Sequence, residues 1–254
     1  MAVMSAPNRT AQSLPPRWPY RSVAVLIGGL LMGLTPAPVN AWPLAWVALV
    51  PLWAVLISQR WRPWQAFRFG WLWSVVYHGM ALAGGGSPGS LMWMGIPWLG
   101  SIAIALFAWS FITLLGAVTF GFWAMGVAYI APRWSAPITV LSGTALWCAL
   151  ETLLSWGPLY WPSLSYTQSP SNLWILHLGQ LSGPMAITAA IVAVNGCWAV
   201  GWLAWRQQRR YLPGKGELRR GEGPFAPTAS LFGIALLVGL HVLGYGLAAT
   251  GASD

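Results

Sequence analysis

Long runs of apolar residues, separated by short polar or proline-rich links, organise this chain from residue 22 onward. Runs of this length suit helices that cross the hydrocarbon core of a bilayer, whereas a membrane β-barrel would show short segments of alternating polarity. The pattern therefore predicts an all-α polytopic membrane protein. We expect seven transmembrane helices, at about 22–39, 42–58, 66–84, 102–130, 137–157, 182–205 and 228–249.

Two further apolar stretches need a separate interpretation. The segment "LMWMGIPWLG" (91–100) is too short for a span, which favours an interfacial or re-entrant element. The first 40 residues have the charged start and apolar centre of a signal peptide. Their apolar part is long and further spans follow at once, so we interpret them as an uncleaved first span.

The composition agrees with a membrane protein and excludes an ordinary soluble domain. Hydrophobic residues make up 57% of the chain, charged residues only 7%, and the mean hydropathy is +0.60. Soluble domains carry about 25% charged residues. The net charge of +9 could suggest nucleic-acid binding, but in a membrane protein it more often records topology. We therefore expect no nucleic-acid partner.

The basic residues sort completely onto one side of the predicted membrane. All 13 Lys and Arg lie before the first span or near the links that follow the second, fourth and sixth spans. The links 40–41, 85–101 and 158–181 contain none. Basic residues concentrate in cytoplasmic loops, so the N-terminus is expected inside and the C-terminus outside. The chain then divides into a cytoplasmic segment 1–21, a membrane domain 22–249 and an outer tail 250–254. Within the membrane domain, the basic cytoplasmic loop 206–227 reads as a flexible linker that touches anionic lipid.

One acidic residue stands alone in the fifth span. Glu151 is the only charged residue between Arg133 and Arg206. A charge at the bilayer centre costs about 2.5–3.5 kcal/mol on insertion scales, so a retained acid suggests a role. Helical spacing predicts one polar face formed by Thr144, Cys148, Glu151 and Ser155.

Two interpretations of Glu151 stay open at this point. It could be a protonated acid that ties helices together, or it could hold a polar head group or a loop in a partly wet, outward-opening cavity. His78 and His241 fall in the outer halves of their spans, and His177 in the last outer loop. Each could be a hydrogen-bonded interhelical residue or part of an outer polar platform. No metal-ligand spacing occurs, so neither a metal nor another cofactor is expected.

The stretch around Glu151 resembles a known family. "ALWCALETLLSW…LYWPSLSYTQSP" is similar to the pattern of apolipoprotein N-acyltransferases, in which a Trp and a Glu end a span and an aromatic-proline loop follows. "LTPAPVNAWPLAWVALVPL" (34–52) and, more loosely, "FRFGWLWSVVYHG" (67–79) resemble its first hairpin and third span. Two details depart from the pattern: "LYWP" replaces an "FPW" order, and Ser165 replaces a Gly.

The resemblance implies a membrane domain in the bacterial inner membrane, with the outer tail in the periplasm. It implies that the substrates are a membrane phospholipid, as acyl donor, and the N-terminal diacylglyceryl cysteine of a lipoprotein. Lipid- or substrate-positioning residues carried over by the match are Trp147, Glu151, Trp161, Pro162, Tyr166 and Gln168.

In this family, catalysis resides in a periplasmic nitrilase-like domain that follows the seventh span and uses a Glu–Lys–Cys set. The single lysine here, Lys215, lies in the cytoplasmic loop, and Cys148 and Cys197 lie inside spans, where packing roles are expected. We therefore assign no catalytic residue to this chain and expect it to be inactive alone. It would act with a separate nitrilase-like domain or be a remnant of a truncated gene. The alternative is a non-catalytic membrane transporter or assembly factor.

Reporter fusions test the predicted topology. A reporter fused after Arg62 should be cytoplasmic, and the next fusion should be on the outer side. The location should keep alternating along the fusion points, which are Arg62, Gly86, Arg133, Ser171, Gly216 and Asp254. The physical basis is the one-sided distribution of basic residues. A cytoplasmic signal at Asp254 would contradict the seven-span prediction.

Overall fold

The computed structural model describes residues 18–83, 92–157, 163–210 and 225–251, which are mainly helical and contain no strand. Short 3-10 helices occur at Trp42–Trp46, Met92–Met94 and Leu164–Gln168. The α-helices are α1 (Trp18–Gly33), α2 (Val50–Ile57), α3 (Pro63–Ala83), α4 (Trp98–Ile130), α5 (Ala136–Ser155), α6 (Leu173–Leu176), α7 (Gly179–Ser182), α8 (Pro184–Arg210) and α9 (Phe225–Gly251).

Prolines mark the start of several helices. Pro63 and Pro184 are the first residues of α3 and α8, and Pro51 and Pro137 lie in the first turns of α2 and α5. A helix start suits proline because its missing N–H would have no partner within the helix there, and its fixed φ is already helical. The positions at which these helices begin are therefore determined locally by proline.

The helical class predicted from the sequence is confirmed for the described residues. By length and composition, α4, α5, α8 and α9 are each able to cross a membrane, and α1 and the segment Trp42–Ile57 are shorter apolar helices. The helix α3 has 21 residues and carries Gln65, Arg68 and His78 among its apolar side chains.

The long segments alternate in direction. The Trp109 indole of α4 donates to the Gly79 carbonyl of α3 over 3.0 Å, while Gly70 packs closely against Ala124, so these two helices are antiparallel. A side chain at Gly70 would collide with the backbone of α4. Glu151 of α5 contacts residue 188 of α8, which makes that pair antiparallel too because Val140 packs on Gly196.

The apolar segment predicted over 42–58 is helical but not one continuous α-helix, because it breaks into the 3-10 helix Trp42–Trp46 and the short helix α2. Pro51 has no N–H to donate and its ring opposes a helix continuing from the preceding turn. The break frees backbone groups that an α-helix would have paired, and such groups cost several kcal/mol in hydrocarbon.

A side chain from α8 takes the place of the missing helical hydrogen bond. The Asn195 Oδ1 accepts the Leu49 N–H over 2.9 Å, and the Asn195 Nδ2 donates to the Ala45 carbonyl over 2.9 Å. In an uninterrupted α-helix those two backbone groups, four residues apart, would bond each other. Asn195 is fully buried and also donates to the Ile191 carbonyl of its own helix over 2.8 Å. The broken segment is thereby fixed to α8.

An aromatic core fills the space between α2, α3, α4 and α5. Trp147 stands at its centre, with ring centroids 4.1 Å from Phe120, 4.9 Å from Trp123 and 5.9 Å from Trp73. Trp53 continues the cluster with an edge contact of 5.2 Å to Trp123. The four tryptophans are fully buried, and edge or offset ring pairs contribute about 0.5–1.5 kcal/mol each beyond burial. Large rings therefore hold four helices at fixed spacing.

Replacing Asn195 tests the role of its amide. We expect Asn195→Leu to lower the free energy of unfolding by about 1–3 kcal/mol, because two backbone groups lose their partner in an apolar interior. Thermal unfolding in detergent micelles measures the change. Gly239→Leu on α9 is the control, since no atom lies within 4 Å of the position a Cβ would occupy there. Equal stability of the two variants would show that Asn195 does not support the break.

Candidate functional site

The carboxylate of Glu151 joins three parts of the chain. Glu151 lies just over one turn before the end of α5 and is 2% exposed. Its Oε2 accepts the indole N–H of Trp147 over 3.0 Å. Its Oε1 accepts the backbone N–H of Leu164 over 3.0 Å and the hydroxyl of Thr188, in α8, over 3.3 Å. The acid therefore holds the segment after α5 against both α5 and α8.

The segment that Glu151 holds is polar and buried. Ser163 precedes the 3-10 helix Leu164–Gln168, and its Oγ accepts the backbone N–H of Ser165 over 3.2 Å. The Thr167 hydroxyl donates to the Leu164 carbonyl over 2.7 Å. Each of these side chains is at most 3% exposed. From the sequence, these hydroxyl groups were expected at an outer interface. In the structure, the hydroxyls of Ser163 and Thr167 form hydrogen bonds with backbone groups of the same segment.

A second chain of hydrogen bonds ties the same segment to the last helix. Gln168 donates to the Trp42 carbonyl over 3.3 Å and accepts from the Asn172 amide over 2.9 Å. The Asn172 amide lies 3.1 Å from the His241 Nε2. The His241 Nδ1 lies 2.8 Å from the Leu237 carbonyl, which can only accept, so Nδ1 carries the proton and Nε2 accepts from Asn172. The turn before α2, the 163–168 segment and α9 are thus connected.

The residues assigned to positioning occupy different environments. Trp147, Glu151 and Gln168 are buried and belong to these two networks. Tyr166 is 54% exposed on the outside of the 3-10 helix. Trp161 and Pro162 lie outside the described residues. Among the four described members of the predicted set, Tyr166 is therefore the exposed side chain.

The predicted polar face of α5 is shorter than expected. Thr144 and Glu151 are buried and Cys148 is half-buried, but Ser155 is exposed and donates to the Thr152 carbonyl of its own helix. The reason is position, because Ser155 is the last residue of α5. The polar face ends at Glu151.

The three histidines have different hydrogen-bond partners, and none of these partners is Glu151. The His78 Nδ1 lies 2.9 Å from the Ser74 hydroxyl of its own helix, and its ring packs against Gly116 of α4. His177 lies 3.2 Å from the Gln180 side chain. His241 is the histidine that joins the 163–168 segment.

Thr188 and Asn195 complete the arrangement, and the sequence reasoning did not assign them roles. Both are isolated polar side chains in the apolar run of α8, and both are fully buried. An isolated polar residue in an apolar run is the signal that drew attention to Glu151. Applied to uncharged residues, the same rule would have found them.

At this site the Glu151 carboxylate acts as a hydrogen-bond acceptor, and its donors come from α5, α8 and the 163–168 segment. A carboxylate has about four lone-pair sites, and this one accepts hydrogen bonds from Trp147, Leu164 and Thr188, which gives it a positioning role. In residues 18–83, 92–157, 163–210 and 225–251, no three His, Cys, Asp or Glu side chains approach as a metal site requires.

Substitutions at Glu151 separate its hydrogen bonds. Glu151→Gln retains an oxygen for Leu164 and Thr188 but turns an N–H toward Trp147, and should cost about 1 kcal/mol of unfolding free energy. Glu151→Leu removes the acceptor for the Trp147, Leu164 and Thr188 donors and should cost at least about 2 kcal/mol, with faster protease cleavage near residue 163. Thermal unfolding and limited proteolysis in micelles measure both effects.

Two further variants serve as controls. Trp147→Phe removes the clashing donor, so adding Glu151→Gln to it should cost less than adding it to the parent. Ser155→Ala, on the exposed end of the same helix, should change stability by under about 0.5 kcal/mol. If Glu151→Leu unfolds like the parent, the carboxylate is only tolerated and does not anchor the segment.

Comparison with known proteins identifies the family. The model of the apolipoprotein N-acyltransferase N-terminal domain matches residues 28–197. The chain is 44% identical over 85% of its length to an apolipoprotein N-acyltransferase of Nostoc sp.. It is 39% identical over 74% of its length to that of Thermosynechococcus vestitus, and 36% identical over 67% to that of Synechocystis sp.. It spans 40%, 36% and 36% of these relatives. The chain belongs to the apolipoprotein N-acyltransferase N-terminal domain family.

Proposed function

We propose that this chain is the membrane domain of an apolipoprotein N-acyltransferase-like protein. In this proposal it positions a phospholipid acyl donor and a diacylglyceryl lipoprotein so that the acyl group reaches the lipoprotein's N-terminal amine. The family supports the activity, and the relatives that share it carry that enzyme's name.

The observation that carries the proposal is the fixed 163–168 segment. Glu151 accepts the backbone N–H of Leu164, and Trp147 and Thr188 donate to the same carboxylate. Gln168 connects the segment to Trp42 and, through Asn172, to α9. An acyl transfer between two lipid-anchored molecules needs both held at one height, and such positioning can contribute several kcal/mol. A rigid segment with Tyr166 on its outer side suits that task.

We further propose seven membrane crossings in the bacterial inner membrane, with a cytoplasmic N-terminus and a periplasmic C-terminus. The alternating helix directions support this arrangement. The described arginines also support it, since they lie at the end of the bundle away from Glu151. The 163–168 segment then faces the periplasmic leaflet.

The chemical step is assigned to a nitrilase-like domain rather than to the described residues. Lys215 lies outside the described residues, and Cys148 and Cys197 lie within α5 and α8. A nucleophile needs a base and an orienting group within hydrogen-bond reach. The described residues would then bind and orient lipid, while the partner domain breaks and forms the acyl bonds.

Reconstitution tests the proposal. We expect the purified chain with phospholipid and a diacylglyceryl peptide to transfer no acyl group, and to support transfer once a periplasmic nitrilase-like domain from a relative is added. In that assay Tyr166→Ala should lower turnover roughly tenfold, about 1.4 kcal/mol, with unchanged thermal stability. Turnover by the chain alone would contradict the assignment of chemistry. No turnover with a cognate partner would favour a transporter or assembly factor.

A further inference from the structure

Four buried hydroxyl groups of the described residues have no hydrogen-bond partner. They belong to Ser22, Tyr77, Thr113 and Thr144. The hydroxyl of a helical serine or threonine can rotate toward a carbonyl in the preceding turn of its own helix. The hydroxyl of a tyrosine lies at the tip of a rigid ring and cannot do so. Tyr77, in α3, is therefore the residue whose hydroxyl needs a partner from outside its own helix.

The ring of Tyr77 is held in place by its neighbours. Its centroid lies 5.2 Å from that of Trp73 and 4.6 Å from that of His78. The Trp73 indole N–H donates to the Ala48 carbonyl over 3.3 Å, and its ring makes an edge contact with Trp147 at 5.9 Å. Tyr77 is only 1% exposed. Its hydroxyl is therefore enclosed by the aromatic core and does not reach solvent.

The helices α3 and α5 run in the same direction. The Trp123 indole of α4 donates to the Gly143 carbonyl of α5 over 2.8 Å, while Phe120 of α4 stacks on Trp147 of α5. The later residue of α4 meets the earlier residue of α5, so these two helices are antiparallel. Since α4 is also antiparallel to α3, the helices α3 and α5 are parallel.

Tyr77 and Glu151 consequently lie at the same level. Trp73 and Trp147 contact each other, and Tyr77 and Glu151 each follow one of them by four residues. Four residues are about one helical turn, or about 6 Å of rise, and they keep the side chains on the same helix faces. The phenol and the carboxylate are close enough to interact electrostatically. The Tyr77 hydroxyl thus lies near the carboxylate without a direct hydrogen bond to it.

A buried hydroxyl near a carboxylate suits a bridging water molecule. A buried polar group without a partner is unfavourable, and ordered water is the partner of many such groups in folded proteins. A phenylalanine ring would fill the same space without the unpaired group, so packing does not account for the hydroxyl. Water can accept from the phenol and donate to the carboxylate at the same time.

Other small occupants fit this position less well. An anion would be repelled by the Glu151 carboxylate in a surrounding of low dielectric constant. The oxygen atoms of a lipid do not reach a hydroxyl that the core encloses, because Tyr77 is buried on all sides. A neutral molecule of the size of water, with both a donor and an acceptor, is the occupant that fits.

We propose that one water molecule is bound between the Tyr77 hydroxyl and the Glu151 carboxylate. The water accepts the hydrogen of Tyr77 and donates one of its own to Glu151. Through this bridge α3 becomes a further support of the carboxylate that accepts the Leu164 N–H. The bridge belongs to the anchoring of the 163–168 segment and is independent of the acyl-transfer proposal.

Thermal unfolding of Tyr77→Phe in micelles tests the bridge. Loss of a bonded hydroxyl should lower the unfolding midpoint by about 2–4 °C in a chain of this size. Loss of an unpaired hydroxyl would instead raise the midpoint or leave it unchanged, and that result would overturn the proposal. The matched control is Tyr245→Phe in α9, where the residue is 59% exposed. It should shift the midpoint by less than about 1 °C.

A second partner exchange tests whether the hydroxyl acts on Glu151. Added to Glu151→Leu, the Tyr77→Phe substitution should lower the midpoint no further, because the other partner of the water is already gone. In the parent background it should speed amide hydrogen exchange at Leu164. A full additional loss of stability in the Glu151→Leu background would show that the hydroxyl acts elsewhere and would contradict the bridge.

Isotope-edited infrared spectroscopy identifies the bridging molecule. When the solvent is exchanged for oxygen-18 water, the parent and Tyr245→Phe should share a shifted O–H stretching band of bound water that Tyr77→Phe lacks. A lower midpoint for Tyr77→Phe with the same bands as the parent would indicate a direct protein partner for the hydroxyl. That outcome would also rule out the bridging water.

Discussion

Hydrocarbon leaves no water for an unpaired backbone group, and this constraint explains the two irregular segments of the protein. Each unsatisfied N–H or C=O there costs several kcal/mol, so a broken helix needs polar side chains from elsewhere. Asn195 pairs the backbone freed before α2, and Glu151 accepts the backbone N–H that begins the 163–168 segment. Both side chains act between segments distant in sequence. The isolated acid of the fifth apolar run is thus the hydrogen-bond partner of a backbone group outside its own helix.

These two anchors depend on a rigid surrounding. Trp147 belongs at once to the aromatic core and to Glu151, since its ring packs between Phe120 and Trp123 while its N–H donates to the carboxylate. Core packing thereby fixes the height of Glu151, and Glu151 fixes the segment outside it. The networks of Glu151 and Gln168 thus share one end of the bundle with the 163–168 segment.

The sequence alone predicted the features that depend on average hydropathy over many residues. Apolar runs predicted the helical class. The break in 42–58 was missed because hydropathy does not register one absent N–H at Pro51. Asn195 was missed because its partner amides lie about 150 positions away, as its contact with Ala45 shows. The exposure of the Ser155 and Tyr166 side chains likewise depends on tertiary packing, which the spacing of residues along the sequence does not give.

Amide hydrogen exchange in a lipid bilayer tests the central claim most directly, because it reports the two anchored backbone groups without any substitution. Leu49 and Leu164 lie outside regular α-helix, yet their N–H groups donate to Asn195 and Glu151. Both amides should exchange as slowly as amides in the middle of α8. Exchange as fast as in an exposed loop would contradict the claim that these side chains hold the irregular segments.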